Sequence, residues 1–359
     1  MKAPRLPQSQ LVRLAIGIPV AAGVGALLYW RGPNWSAVGD AFTAVRWDWV
    51  AVAIGFNLLS VVVRALAWQQ VIRTAMPPPH PRSLLVFSAF SVGLFANAIL
   101  PGRIGELARV AVLTRRLPQE RAWATLVGTV FAHRVFDLVP VLMLTVYVLV
   151  AAKIPHWAVA SLIAIVGIGL ALFAFAFASA CLHHRTIRLD GMGAARRVIT
   201  MARHGLGVMR APLPAAIAIG FQTLGWAFQL LAVWTAMRAF HIHEPLAAAA
   251  LVLLVMNVVT VLPLWPGNNV GALQVAIAIA LTDYGVSKAR GIAFGFGLQA
   301  IEASVGIGVG LLFLAREGLS LAMLRVMPGA SQAEVPRSPQ ADEADEEADA
   351  QRARARVSG

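Results

Sequence analysis

The chain has 359 residues, of which 58% are hydrophobic and 13% charged, with a mean hydropathy of +0.72 and a formal net charge of +13. A chain this apolar cannot keep its surface away from water as a soluble domain, so the composition predicts an all-α integral membrane protein. The positive charge falls in loops between apolar segments, which assigns it to topology and to anionic lipid headgroups and excludes a folded basic face for nucleic acid.

A hydrocarbon core of about 30 Å needs roughly 20 apolar residues per crossing helix. Segments of that kind lie at residues 11–30, 49–71, 123–151, 157–182, 214–237 and 292–315, giving about six full spans. The first follows Lys2, Arg5 and Arg13 without a small-x-small cleavage site before polar sequence, so it reads as a retained span. Two shorter apolar segments, 84–100 and 246–262, are each followed by Pro-Gly and a second short segment, at 104–117 and 271–283. Each pair reads as a re-entrant hairpin, which brings the hydrophobic segments to eight. The single cysteine, Cys181, excludes an internal disulfide.

The positive-inside rule favours the hairpins over full crossings. With hairpins, Arg73, Arg82, Arg115, Arg116, Arg121 and the basic loop from Arg185 to Arg210 share the cytoplasmic side, leaving Arg31, Arg46, Lys153, Arg238, Lys288 and Arg290 on the other. Both termini are then cytoplasmic, in the inner membrane. Residues 1–326 form one polytopic domain. Residues 327–359 hold an acidic run from Asp342 to Asp349 followed by Arg352, Arg354 and Arg356, a composition that predicts a disordered charged tail.

The chain repeats itself at an offset of 165 without a gap. Phe56 falls on Phe221, Leu59 on Leu224, Leu66 on Leu231, Ala67 on Ala232, Arg73 on Arg238, Pro101-Gly102 on Pro266-Gly267, Phe131 on Phe296 and Asp137 on Glu302. The repeat halves are about 11–155 and 156–320. Three crossings plus a hairpin is an odd number per half, so the repeat is expected to be inverted, as in transporters built around a central site.

Function must come from polar groups kept in the membrane, because an ionisable side chain there costs several kcal/mol unless paired or hydrated. Arg134 and Asp137 lie three apart and share a helix face; Arg64 lies inside the second span. Glu302 is the repeat mate of Asp137 and has Gln299 where Arg134 would be. In the first half the chain reads N-A-I-L-P-G-R-I-G-E-L-A-R from Asn97 to Arg109. The helix restarting after Pro101-Gly102 would present backbone N–H groups to an anion, with Arg103 and Arg109 adding charge and Glu106 complementing the dipole. A phosphate fits that description. In the second half, Leu262 to Gly271 repeats the break around Pro266 and Gly267 with neutral Asn268 and Asn269.

Four motifs carry a resemblance: R-x-L-x-W at Arg64 to Trp68, N-x-x-L-P-G-R-x-G-E from Asn97 to Glu106, R-x-x-D at Arg134 to Asp137, and P-G-N-N-V-G-A-L-Q from Pro266 to Gln274. Together they resemble the flippase-like membrane family typified by the transmembrane region of lysylphosphatidylglycerol synthases, over roughly residues 10–320. The resemblance implies movement of a lipid between leaflets, with phospholipids, glycolipids and hopanoid-type lipids as cargoes. The chain departs from the family pattern at Gln274, where the family usually has a glutamate, and at Gln299, where it has an arginine. No aminoacyl-transferase domain follows the membrane region, so lysine transfer to lipid is not expected.

Two other classes make different demands on the sequence. A membrane-embedded enzyme would need a nucleophile, base or metal cluster, and the sequence has no H-E-x-x-H, no Cys-His arrangement and no phosphate-cradling glycine loop. His183-His184 sits in a basic loop with no nearby carboxylate. No enzyme activity, cofactor or metal is therefore expected. The alternative is an accessory or scaffold protein for a lipid-modifying enzyme, whose partners would be that lipid-synthesis enzyme or a second copy of this chain.

Overall fold

In the computed structural model the described residues are 35–99, 105–117, 122–154, parts of 159–174, 211–261 and 269–316. The span expected at 11–30, most of that at 157–182, Cys181 and the basic segment after it, both Pro-Gly pairs and the charged tail lie outside the described residues.

Every regular element among the described residues is helical. Besides the helical residues within 159–174, they are in chain order α1 (Trp35–Thr43), α2 (Trp47–Ala75), α3 (Ser83–Ile99), α4 (Gly105–Thr114), α5 (Ala122–Ala151), α6 (Pro212–Ala239), α7 (Leu246–Val261), α8 (Ala272–Ala280), a 3-10 turn (Thr282–Tyr284) and α9 (Lys288–Arg316). Helices α2, α5, α6 and α9 have 29, 30, 28 and 29 residues. At 1.5 Å per residue each is about 42–45 Å long, more than the hydrocarbon thickness. They are long and apolar enough to cross a membrane, and they overlie the predicted spans 49–71, 123–151, 214–237 and 292–315.

The ends extend those predictions by a few residues for local reasons. Asp48 in the first turn of α2 and Arg73 in its last turn complement the helix dipole. Pro212 opens α6 at the position where a missing N–H leaves no intrahelical bond unmade. Pro140 lies inside α5 and is tolerated in a membrane helix, where neighbours can satisfy the freed carbonyl.

Helices α3 and α4 have 17 and 10 residues, and α7 and α8 have 16 and 9. At about 25 Å or less, none of them spans the hydrocarbon alone. Within each pair the two arms pack together. The Gly105 N–H donates to Asn97 Oδ1 at 2.8 Å, and one turn earlier a Cβ on Gly93 would stand 2.8 Å from the Gly105 carbonyl and 3.2 Å from Arg109 Cβ. The residue number rises on α4 as it falls on α3, so the arms are antiparallel, and a glycine at 93 permits the close approach. In the other pair Asn269 Nδ2 donates to the Val259 carbonyl at 2.5 Å. These are the two expected hairpins.

The offset of 165 aligns structure as well as sequence. Adding it to the bounds of α2, α3, α4 and α5 gives 212–240, 248–264, 270–279 and 287–316, against observed bounds of 212–239, 246–261, 272–280 and 288–316. The repeat-equivalent helices α2 and α6 also pack antiparallel. Ser60 bonds Gly225, while further along α2 Val71 shares an apolar cluster with Ala218 and Ala215 of α6 and with Ala132 and Phe136 of α5. Antiparallel mates are what an inverted repeat requires.

The chain divides into two compact units, each drawing segments from both sequence halves. One holds α1, α2 through Phe56, α6 from Leu230, α7, α8, the 3-10 turn and α9 through Glu302. It is pinned by the Arg46 N–H donating to the Ala239 carbonyl at 3.0 Å and by the edge-on Trp49–Trp234 pair at 6.5 Å. The other holds the rest of α2, α3, α4, α5 through Val146, α6 through Gln229 and α9 from Ala303. Arg64, Glu106, Arg109, Arg134 and Asp137 all lie in this second unit.

Candidate functional site

Five side chains from α2, α4 and α5 form a chain of alternating charge. In order they are Arg109, Glu106, Arg134, Asp137 and Arg64. The helical spacing makes the first links: Glu106 and Arg109 are three apart on α4, and Arg134 and Asp137 three apart on α5, so each pair shares a face. Tertiary packing makes the others. Glu106 pairs with both Arg109 and Arg134, and Arg134 Nη1 reaches Asp137 Oδ2 at 3.2 Å. Arg64 Nη2 lies 3.1 Å from Asp137 Oδ1, so Arg64 turns onto a carboxylate.

Asp137 is the knot of this arrangement. It is buried, and besides the two arginines it accepts a hydrogen bond from Gln222 Nε2 and one from Trp226 Nε1 at 2.8 Å. Gln222 and Trp226 are four apart on α6, so one helix face supplies both donors. A buried carboxylate is tolerable only when its lost hydration is replaced this fully. The same residues close the neighbouring gap, because the Arg64 guanidinium lies over the Trp226 ring at 5.5 Å.

Arg109, at the other end, is only 4% exposed. Its guanidinium lies 4.6 Å from the centre of the Trp68 ring and 5.5 Å from that of Phe90, and its Nε has no hydrogen-bond partner among the described residues. Trp68 is held in place by its Nε1 donating to Thr129 Oγ1 at 3.1 Å, and Thr129 in turn donates to the Leu126 carbonyl at 2.7 Å. His133, buried next to Arg134 in sequence, packs edge-on against Phe90 at 6.1 Å. Exposure peaks in the middle of the chain: the Glu106 and Arg64 side chains are 23% exposed, Arg134 is 47% exposed and Asp137 only 10%. Three guanidinium groups and two carboxylates leave one net positive charge among these described residues, and the most accessible cation is Arg134.

Of the predicted first-half residues, Arg64, Glu106, Arg109, Arg134 and Asp137 come together in this chain. Asn97 accepts from the first N–H of α4 and so ties the two arms of the hairpin together. Pro101, Gly102 and Arg103 lie outside the described residues. Sequence reasoning passed over Gln222 and Trp226 as partners of Asp137, and Trp68, named only within the R-x-L-x-W motif, as a partner of Arg109. A glutamine four residues before a tryptophan in an otherwise apolar span was the available signal for the first two.

The second half carries a neutral copy. Adding 165 to Arg109, Glu106, Arg134 and Asp137 gives Gln274, Gly271, Gln299 and Glu302. Gln274 is 1% exposed, its Nε2 donates to Gln299 Oε1 at 2.6 Å, and its Oε1 accepts from the Gly271 N–H at 2.6 Å. The two residues that stand for Arg109 and Arg134 thus bond directly, with a glycine where the bridging carboxylate stood. Gly271 has φ +93°, a conformation that disfavours any side chain. Asn269 is buried and ties back to α7, Glu302 sits half-buried on α9, and Pro266, Gly267 and Asn268 lie outside the described residues.

No curated protein and no solved structure matches the chain. A family model does, the lysylphosphatidylglycerol synthase TM region, over residues 10–310, and it ties the chain to lipid handling in a membrane. With the match covering most of the sequence, this integral membrane protein belongs to the lysylphosphatidylglycerol synthase TM-region family.

Proposed function

We propose that the chain is a lipid translocator that moves an anionic or modified-headgroup lipid between the leaflets of the inner membrane, with both termini in the cytoplasm. The observation that carries this reading is the alternating chain from Arg109 to Arg64, in a unit whose helices are apolar enough to cross a membrane. A phosphate headgroup cannot enter hydrocarbon without a compensating polar partner. Preformed guanidinium groups supply that partner, and their charge-assisted hydrogen bonds are about twice as strong as neutral ones. Acyl chains can stay in lipid while the headgroup uses the protein. The family's link to lipid supports the same reading, and no bond-making step is assigned to the chain.

The test is reconstitution of the purified chain into vesicles carrying a fluorescent phosphatidylglycerol analogue in both leaflets. A membrane-impermeant reductant then quenches only the outer leaflet. Vesicles with the protein should lose nearly all fluorescence, and protein-free vesicles about half. Equal quenching in both would sink the translocator reading and favour an accessory role beside a lipid-modifying enzyme.

A further inference from the structure

Glu106 is shared between two cations of unlike exposure. Its carboxylate pairs with Arg109, which is 4% exposed under Trp68 and Phe90, and with Arg134, which is 47% exposed. Arg134 has a second anchor in Asp137, and Arg109 holds a buried Nε with no hydrogen-bond partner among the described residues. One carboxylate therefore serves two guanidinium groups, one of them facing outward.

We propose that Glu106 is a built-in stand-in for the substrate's phosphate, and that the substrate class is a monoanionic phosphodiester. This rests on the translocator reading of the same site. A carboxylate and a phosphodiester each carry one negative charge and offer two equivalent oxygens to a guanidinium fork. Binding the diester at Arg134 brings the three guanidinium groups and two carboxylates from one net positive charge to zero, with Glu106 retained by Arg109 and Arg134 retained by Asp137. A phosphomonoester would bring a second negative charge beside Glu106 and Asp137. A zwitterionic headgroup would bring a cation beside three arginines. The arrangement thus favours the diester monoanion.

The exchange predicts a gain of affinity on removing the competitor. The full chain in detergent would be titrated calorimetrically with short-chain phosphatidylglycerol, phosphatidic acid and phosphatidylcholine, and with soluble dimethyl phosphate. Glu106→Gln should bind phosphatidylglycerol at least about tenfold more tightly than wild type, the size of one charge-assisted contact. Glu106→Asp, whose shorter arm cannot span both arginines, should shift the same way and serves if the glutamine variant does not fold. Wild type should prefer phosphatidylglycerol to the other two lipids, and dimethyl phosphate should bind weakly, identifying a lipid and not a free phosphodiester as the ligand. Unchanged or weaker binding by the Glu106 variants, or preference for phosphatidic acid, would overturn the proposal. Tighter binding by Glu106→Gln in a protein that moves no lipid in vesicles would retire the translocator reading alone.

Discussion

Ser60 donates a 2.8 Å hydrogen bond to the carbonyl of Gly225, a residue 165 positions away. That separation is the repeat offset itself, so the two residues are each other's equivalents. Two helices of the same origin cross there in opposite directions. The approach is close: a Cβ on Gly225 would stand 2.5 Å from Arg64 Cγ and 3.2 Å from its Cδ. Arg64 therefore reaches Asp137 by crossing α6 where a side chain is missing.

Gly225→Ala should displace Arg64 from Asp137. Overpacking at a tight crossing costs about 1–3 kcal/mol, read as a lower unfolding temperature in detergent, and lipid movement should fall with it. Ser60→Ala removes one neutral hydrogen bond and should cost only about 1 kcal/mol. Equal, negligible effects from both would mean that this crossing does not position Arg64.

Asp137→Asn should be the most destabilising single change in the charged chain. It removes one partner of a buried ionic cluster, which typically costs about 3–5 kcal/mol. Gln222→Ala, which takes away one of several donors to the same carboxylate, should cost about 1–3 kcal/mol. The ordering can be read by thermal unfolding, and a Gln222 variant less stable than Asp137→Asn would contradict the assignment of Asp137 as the knot.

The hairpins give a topological prediction. With Cys181 replaced, single cysteines beside Arg82 and Arg116 should both react with an impermeant maleimide from the cytoplasmic side. Reaction from opposite sides would mean that one arm of α3–α4 crosses the membrane, which would remove the hairpin.

In the second half, Gln274→Ala should lower stability by about 1–2 kcal/mol, through loss of the bonds to Gln299 and Gly271. It should leave phosphatidylglycerol affinity within about twofold of wild type, because no charge is lost. A drop in affinity as large as that of Arg134→Gln would show that the neutral copy also reads the headgroup.

The helices were legible because long apolar runs and helix ends are local properties. Residues 47–75 and 212–239 announce themselves by composition and by the shared offset. The pairing of Arg134 with Asp137 was legible too, since a spacing of three fixes a helix face. What local spacing could not show was the sharing. Glu106 serving Arg134 from another helix, Arg64 crossing at Gly225, and Gln222 with Trp226 completing Asp137 all depend on how four helices approach. The bond between Gln274 and Gln299 was hidden for the same reason, although the repeat offset had already set both beside their charged counterparts. That Asn97 accepts from the Gly105 N–H was hidden as well, because the bond joins two helices.

The central claim is that the exposed arginine of the charged chain handles a lipid phosphate. The most direct measurement is the rate of phosphatidylglycerol translocation in vesicles for Arg134→Gln, the residue type that the second half carries at the equivalent position. Losing one charge-assisted contact of about 2 kcal/mol should slow translocation roughly thirtyfold, with the variant still monodisperse and folded. Translocation by a folded Arg134→Gln at the wild-type rate would contradict the account and leave the alternating charges as a structural lock between helices.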